Sequence, residues 1–342
     1  MARKRIIPRN VLTLFGLSFI LLCVVVSLLG YAILPDASTA SNQMHSNQGL
    51  KKPGYTAYFT PAEEKGSNGF WIYSGKETQE QTFLWDHADT AHIYLKKHAA
   101  SLGLTPDEIL KNPNSYTDKK TFRLGTDVFG RDMFSRLLLG TRVSLSVGLI
   151  SVFISLVVGI SLGLLAGYYR GRVDDVVMWL VNVVWSLPTL LLVVAITFAL
   201  GKGFWQIFVA VGLTMWVDLA RIVRGQVFTI RELEYVQAAK ILGFSDVRIM
   251  LRHILPNITG PILVIAAANF ASAILLEAGL SFLGLGVQPP FPSWGQMLNE
   301  NYGYIATGNA YLALAPGLAI MLLVMSFNFL GNGLRDGLDV KL

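Results

Sequence analysis

Residues 143–168 read VSLSVGLISVFISLVVGISLGLLAGY, a run without a single Asp, Glu, Lys or Arg. A helix rises about 1.5 Å per residue, so about 20 apolar residues cross a hydrocarbon core about 30 Å thick. This run is long enough, and a soluble core does not need its apolar residues gathered in such blocks. Working outward, five further stretches pass the same test: about 11–34, 175–200, 204–223, 258–284 and 311–333. Strands of a membrane β-barrel would be about 10 residues each and would alternate. The fold class predicted is therefore all-α, a polytopic membrane protein with six transmembrane helices. Composition agrees: 53% of residues are hydrophobic and 15% are charged, the latter against roughly 25% in soluble domains.

The net charge of +6 admits nucleic acid as a partner in principle. Here the basic residues flank apolar spans, so membrane orientation accounts for them and no nucleic acid is expected. Arg3, Lys4, Arg5 and Arg9 precede the first span, and six spans return the C-terminus to the same side. Arg170 and Arg172 follow span two. Arg224, Arg231, Lys240, Arg248 and Arg252 fall between spans four and five, and Arg335 and Lys341 close the chain. On the other side, the connection after span three has only Lys202, and 285–310 has no Lys or Arg. Both termini are thus predicted to be cytoplasmic. The one cysteine, Cys23, allows no disulfide within the chain. The first apolar run is longer than a usual cleaved signal core of about 7–15 residues, so it reads as a retained anchor.

Three regions follow: 1–35, the N-terminus and first span; 36–122, an extracytoplasmic insert; and 123–342, a core with five spans and a cytoplasmic loop at 226–257. The insert opens with a linker-like polar stretch, Asp36 to Gly54, and then turns aromatic, with Tyr55, Tyr58, Phe59, Phe70, Trp71, Tyr73, Phe83, Trp85 and Tyr94. That content predicts an ordered unit rather than disorder. A short helix is expected from Thr105-Pro106-Asp107-Glu108. His87, His92 and His98 are too irregularly spaced to share a helix face, so they read as solvated surface and no metal site is expected. Residues 131–142 (RDMFSRLLLGTR) suggest an interfacial helix feeding the second span, with Asp132 four residues before Arg136.

The loop Glu232 to Asn257, ELEYVQAAKILGFSDVRIMLRHILPN, reads as two short helices with a break. Ala238 and Ala239 are small enough to admit another surface. Gly243 can take a positive φ and end the first helix. Ser245 or Asp246 can cap a second helix that stops at Pro256. On residue type alone this is either a solvated loop or a docking element. No phosphate-binding P-loop pattern occurs, so this chain is not expected to hydrolyse ATP, and no catalytic constellation is evident. His253, within the loop, reads as a helix-end or hydrogen-bonding group.

Glu234, Ala238, Ala239, Gly243, Ile254, Leu255 and Pro256 resemble the EAA loop of ABC importer permeases, in the form where Tyr235-Val236-Gln237 separates the acid from the alanines. Other segments resemble the dipeptide/oligopeptide/nickel group of that family: Leu124–Asp127, Gly130–Asp132 and Ser135-Arg136; Glu277–Gly286 with Gln288-Pro289-Pro290 and Pro292–Gly295; and Asn328, Gly333, Arg335, Asp336 and Asp339. The resemblance covers about 120–342 and the first span. The insert is longer than is usual in the group. The resemblance implies a permease subunit of an ATP-driven importer in the bacterial inner membrane, for di- or oligopeptides, with nickel or another small solute as the alternative. It implies coupling to ATPases through Glu234, Ala238, Ala239, Gly243 and Pro256. The expected partners are a second permease, two cytoplasmic ATPases carrying ATP and Mg, an extracytoplasmic binding protein, and lipid; no cofactor is expected in this chain. A membrane receptor or scaffold and an intramembrane enzyme are the readings from other classes.

Polar residues inside spans are costly and merit a role. Glu277, Asn182, Asn269 and Asn328 are each read either as interhelical hydrogen-bonding groups or as lining the substrate pathway. Asp218 lies close to Arg221 and Arg224 and is expected to pair near the cytoplasmic interface. Pro188 is expected to kink span three.

Overall fold

A computed structural model describes residues 10–59, 83–86, 118–201 and 204–338, with single positions 76, 105, 107 and 111. The expected helix at Thr105–Glu108 falls largely outside the described residues, and His87, His92 and His98 fall wholly outside them. The helices are α1 (Val11–Leu29), α2 (Met133–Tyr169), α3 (Gly171–Trp185), α4 (Thr189–Leu200), α5 (Phe204–Thr214), α6 (Trp216–Arg231), α7 (Glu234–Ile241), α8 (Asp246–Ile249), α9 (Thr259–Phe282), α10 (Trp294–Asn301) and α11 (Tyr311–Leu338). Five helical stretches are long and apolar enough to cross a membrane, or six if the bent pair α3 and α4 counts as one span. The chain is an all-α polytopic membrane protein.

The chain divides into two compact units. The first comprises 1–24, 144–288 and 318–342 and holds most of the apolar helices. Its packing rests on small residues. Gly159, Gly163 and Gly167 recur every fourth residue along α2 and face α6. A methyl at Gly163 would stand 2.6 Å from the Ala220 carbonyl oxygen, and one at Gly159 would stand 2.8 Å from that of Trp216. Two helices can approach this closely only where side chains are absent, which is how membrane helices gain contact without a hydrophobic drive between them. Gly16 of α1 meets the Ser326 carbonyl of α11 in the same way, at 2.6 Å. The Phe270 and Phe327 rings stack 4.0 Å apart between α9 and α11.

Span three is not merely kinked. α3 and α4 diverge by 96° across Ser186–Pro188. Pro188 has no N–H to donate and its ring excludes the preceding residue from the helical region, so the first helix must stop before it. Span four is longer than its apolar run indicates, because α5 and α6 together carry it from Trp205 to Arg231.

The second unit comprises 25–143 and 289–317. Strands β1 (Tyr55–Phe59), β2 (Phe83–Trp85) and β3 (Asp118–Phe122) form an antiparallel sheet in the order β2-β1-β3. Tyr55 pairs with Phe122 and Phe59 with Asp118. Ala57, Phe59 and Phe122 form a buried apolar cluster on which Tyr55 and Phe83 pack; Phe70, Trp71, Tyr73 and Tyr94 lie outside the described residues. The stretch 36–54 is not a linker. Several of its polar groups are engaged: Asp36 N–H donates to Ser135 Oγ at 2.9 Å, Ala40 N–H to Tyr31 Oη at 2.9 Å, and Leu50 N–H to the Asp127 carbonyl at 2.9 Å. Polarity there signals a hydrogen-bonded interior rather than solvation. Burial holds the Lys120 ammonium below its ordinary pKa and the Asp132 carboxyl above its own.

Residues 131–142 are not a separate interfacial helix. α2 runs from Met133 to Tyr169 without interruption, since nothing between 133 and 143 breaks it. Asp132 caps it, accepting from Ser135 N–H at 3.0 Å and from the Ser135 hydroxyl, and does not pair with Arg136. Arg131 and Arg136 are buried in an ion network. Arg131 donates to Asp127 and to Glu300, each at 2.6 Å, and Arg136 reaches Glu300 at 3.4 Å. Trp294 Nε1 donates to the Leu137 carbonyl at 2.8 Å, and Tyr311 Oη to the Lys51 carbonyl at 2.8 Å. The segment 289–317 is thereby bound to the region that follows the first span.

Candidate coupling element and membrane crevice

The segment 232–258 is a compact element with one face fastened down and one face bare. α7 begins at Glu234, whose carboxylate suits the positive end of the helix dipole. The helix ends in a Schellman turn: Phe244 N–H donates to the Ala239 carbonyl at 3.2 Å, and Gly243 N–H to that of Lys240 at 3.0 Å. Gly243 has φ +77°, the conformation for which glycine is the usual choice. Ser245 occupies the cap position of α8 but its side chain makes no capping bond; Asp246 instead accepts from Tyr168 Oη at 2.7 Å.

The second helix does not stop at Pro256. From Asp246 the chain winds on to Phe282. A π-helical turn at Met250–Ile254 and a 3-10 turn at Leu255–Ile258 absorb the proline, whose missing N–H and ring bulk a regular α-helix could not accommodate. The coupling element is therefore continuous with span five.

Its inner face carries Val236, Ala239, Ile249, Met250, Ile254 and Ile258, which cluster with Leu164 and Tyr168 of α2 and with Val223, Val227 and Ile230 of α6. Arg170 pairs with Glu232 at 2.7 Å, and Gln237 Nε2 donates to the Arg231 carbonyl at 2.9 Å. Tyr235 Oη accepts from Asn257 Nδ2 at 3.0 Å, and Asn257 Nδ2 also donates to the His253 carbonyl at 2.7 Å. His253 stands beside the Phe244 ring, 5.7 Å between centroids. The outer face is apolar and open: Ile241 is 86% exposed and Leu242 72%, with Val247 and Leu251 also exposed.

Of the five coupling residues expected from the sequence, Glu234, Ala238, Gly243 and Pro256 are exposed on this element. Ala239 is 4% exposed and belongs to the inner core. It cannot offer its methyl to another subunit, because a helix of this pitch turns its next residue about 100° away. Ile241 and Leu242, bare on the outer face, were not singled out in the sequence. The signal was present, since two apolar residues beside a glycine turn lie outside the buried stripe of an amphipathic helix.

The four polar residues expected along a pathway are not brought together. Asn182 on α3 and Asn328 on α11 are exposed. Glu277 is fully buried, and its Oε1 accepts from Ser281 Oγ at 2.7 Å. Ser281 Oγ in turn accepts from Val287 N–H at 3.3 Å, so Glu277 braces the turn that follows α9. Asn269 lines an opening. It borders a crevice of about 180 Å³ at the break between α3 and α4, with Trp185, Thr189, Thr214, Asp218 and Ser272. Asn269 Nδ2 donates to the Met215 carbonyl at 3.3 Å.

Asp218 does not pair near the cytoplasmic interface. Arg224 binds Asp174 of α3 instead, Nη2 to Oδ2 at 2.5 Å, and Arg221 lays its guanidinium over the Trp185 ring at 3.8 Å. Asp218 lies on α6 midway between the ends of the Trp205–Arg231 span and is exposed.

Residues 159–342 match the family described as binding-protein-dependent transport system inner membrane component. The glutathione transport system permease protein GsiD of Pectobacterium atrosepticum is 41% identical over 249 residues, which span 73% of this chain and 81% of that protein. The dipeptide transport system permease protein DppC of Bacillus subtilis is 44% identical over 218 residues, 64% of this chain and 68% of that protein. The di/tripeptide transport system permease protein DppC of Pseudomonas aeruginosa is 44% identical over 237 residues, 69% and 78% respectively. Among solved structures, a chain of the MetNI methionine ABC transporter in an inward-facing conformation shares the fold with a TM-score of 0.50 at 21% identity, covering 61% of this chain and 98% of that one. With the family match spanning more than half of the sequence and these relatives aligned over most of their own length, the chain belongs to the binding-protein-dependent transport system inner membrane components, the permease subunits of ABC importers.

Proposed function

We propose that this chain is one of two permease subunits of an importer for di- or oligopeptides, driven by two separate cytoplasmic ATPases and fed by an extracytoplasmic binding protein. The peptide transport named for its relatives supports the solute class. The coupling element is the observation that carries the mechanism. Its inner face is packed on α2 and α6 and it is continuous with α9, so a force applied to it reaches three membrane helices at once. Its outer face holds Ile241, Leu242, Val247 and Leu251 bare, an apolar surface suited to burial against another protein. Docking of an ATPase there would transmit closure of the ATPase pair to the membrane helices and open the pathway alternately to either side. The family match and the Lys and Arg asymmetry support placement in the inner membrane with both termini and the coupling element cytoplasmic, and the second unit outside. The test is binding-protein-dependent uptake of a labelled dipeptide by the assembled complex in lipid vesicles. Uptake that requires ATP and fails for Leu242→Asp, with the ATPase lost on co-purification, is the expected result. Uptake of nickel but not peptide would replace the solute and leave the coupling intact. Full ATPase association in Leu242→Asp and Ile241→Asp would defeat the docking surface.

A further inference from the structure

Asp218 is a carboxylate within the apolar run of span four, exposed in this chain, and no ion pair or hydrogen bond engages it among the described residues. An ionisable group within a membrane-spanning helix faces a water-filled space or a partner and marks a functional position. It borders the crevice opened by the break between α3 and α4, and discontinuous helices near the bilayer midplane are where transporters build solute sites. The other polar groups on the wall are Thr189, Thr214, Asn269 and Ser272. Asn269 commits one of its two amide N–H groups to the Met215 carbonyl and keeps its own carbonyl oxygen as an acceptor, and the Thr214 hydroxyl donates to the Val211 carbonyl at 2.8 Å, which leaves its oxygen able to accept. Asp218 is the one charged residue on the wall. Arg221, one turn along, is drawn aside by the Trp185 ring. The wall thus offers a negative charge surrounded by oxygen acceptors, the complement of a primary ammonium with its three donors.

We propose that this crevice is a subsite for the cationic amino group of the transported solute, with Asp218 as the specificity-determining residue. This rests on the peptide-importer reading and adds to it that a free amino terminus is read inside the membrane, after release from the binding protein. The crevice volume suits an end group rather than a whole peptide.

The experiment uses the complete complex of both permeases, ATPases and binding protein in lipid vesicles. A wild-type complex that carries no dipeptide defeats the solute reading, and the subsite with it, before any variant is made. Given uptake, Asp218→Asn is expected to lower transport of a dipeptide with a free amino terminus by at least about tenfold, the loss of one charge-assisted hydrogen bond. Asp218→Glu should retain most transport, and complex assembly should be unchanged in both. A second readout separates recognition from structure. With Cys23 replaced by Ser, the S272C variant presents a thiol on the crevice wall. Excess dipeptide should slow its labelling by a small maleimide, and should not do so in S272C with D218N. Wild-type uptake by Asp218→Asn, or equal protection with and without that substitution, overturns the proposal. So does loss of the second permease on purification of Asp218→Asn, which would make Asp218 an anchor for a subunit instead.

Discussion

Ala238 and Ala239 are neighbours of identical chemistry, and α7 gives them opposite surroundings. Ala239 is packed among Val236, Ile249 and Ile254, whereas Ala238 is exposed beside the bare face. The sequence shows two small residues and gives no sign of which way each points, because the partners of Ala239 lie on α8, on the turns that follow it and on α6. A glutamate at Ala239 would lose its water in an apolar cluster, a penalty of several kcal/mol. Ala239→Glu should therefore unfasten the element, read as rapid proteolysis at 232–258 in the purified chain. Ala238→Glu should leave that segment resistant and reduce ATPase co-purification. Equal behaviour of the two would contradict the assigned faces. Gly243 differs again. The space around it is open, so Gly243→Ala meets only the backbone penalty of a positive φ, about 1–2 kcal/mol. Substrate-stimulated ATP hydrolysis should fall in that variant while insertion is unaffected.

Apolar length and the flanking charges were enough to locate the spans, since lipid imposes a crude rule that a single sequence obeys visibly. Interruptions and continuations were harder to read. Pro188 was legible as a disturbance, but the 96° turn depends on where α4 packs. Pro256 looked like a stop and is passed through, because a π turn and a 3-10 turn can take up its misfit. The run at 131–142 read as an interfacial helix with Asp132 four residues before Arg136, whereas Arg131 and Arg136 are buried against Asp127 and Glu300. The glycines of α2 carried a usable signal, one small residue every fourth position, that apolar counting overlooks. The stripe predicts a contrast. Gly163→Ile should force α2 from the Ala220 carbonyl at a cost of about 1–3 kcal/mol or more. Gly225→Ala, on the same helix pair but with no neighbour near its would-be methyl, should be neutral or slightly stabilising. Thermal unfolding of the purified complex in detergent would compare them, and equal midpoints would deny the stripe its packing role.

At the scale of the whole chain, two statements of different origin can be tested separately. Orientation comes from Lys and Arg counts alone, so a thiol at Ser245→Cys, with Cys23 replaced, should escape an impermeant maleimide in intact cells and react once the membrane is opened. Labelling in intact cells would invert the topology. The make-up of the second unit comes from geometry. Its sheet was not foreseen, because β2 is three residues long and too short to show a period, and β3, with the adjacent pair Lys119-Lys120, has no apolar alternation and a single buried apolar residue, Phe122. Its joining of 25–143 to 289–317 was invisible, since Glu300 lies far along the chain from Arg131. Glu300 is the link that can be cut most cleanly. It faces two buried guanidinium groups, with Asp127 as the other acid paired with them among the described residues. Removing one acid from such a network leaves cations dehydrated and underpaired, which costs about 3–5 kcal/mol, far more than loss of a surface pair. Glu300→Ala is thus expected to loosen the second unit, with proteolytic cuts appearing in 36–59 and 118–131 before any in 232–258. Glu300→Gln, which keeps an acceptor but not the charge, should fall between it and wild type. The ATPase should still co-purify in both, because its proposed surface lies in the other unit. An Ala variant as resistant as wild type would show that Asp127 and Asn42, whose Oδ1 accepts from Arg131 at 3.3 Å and from Arg136 at 3.4 Å, suffice for both arginines, and that the network does not hold 289–317 in place.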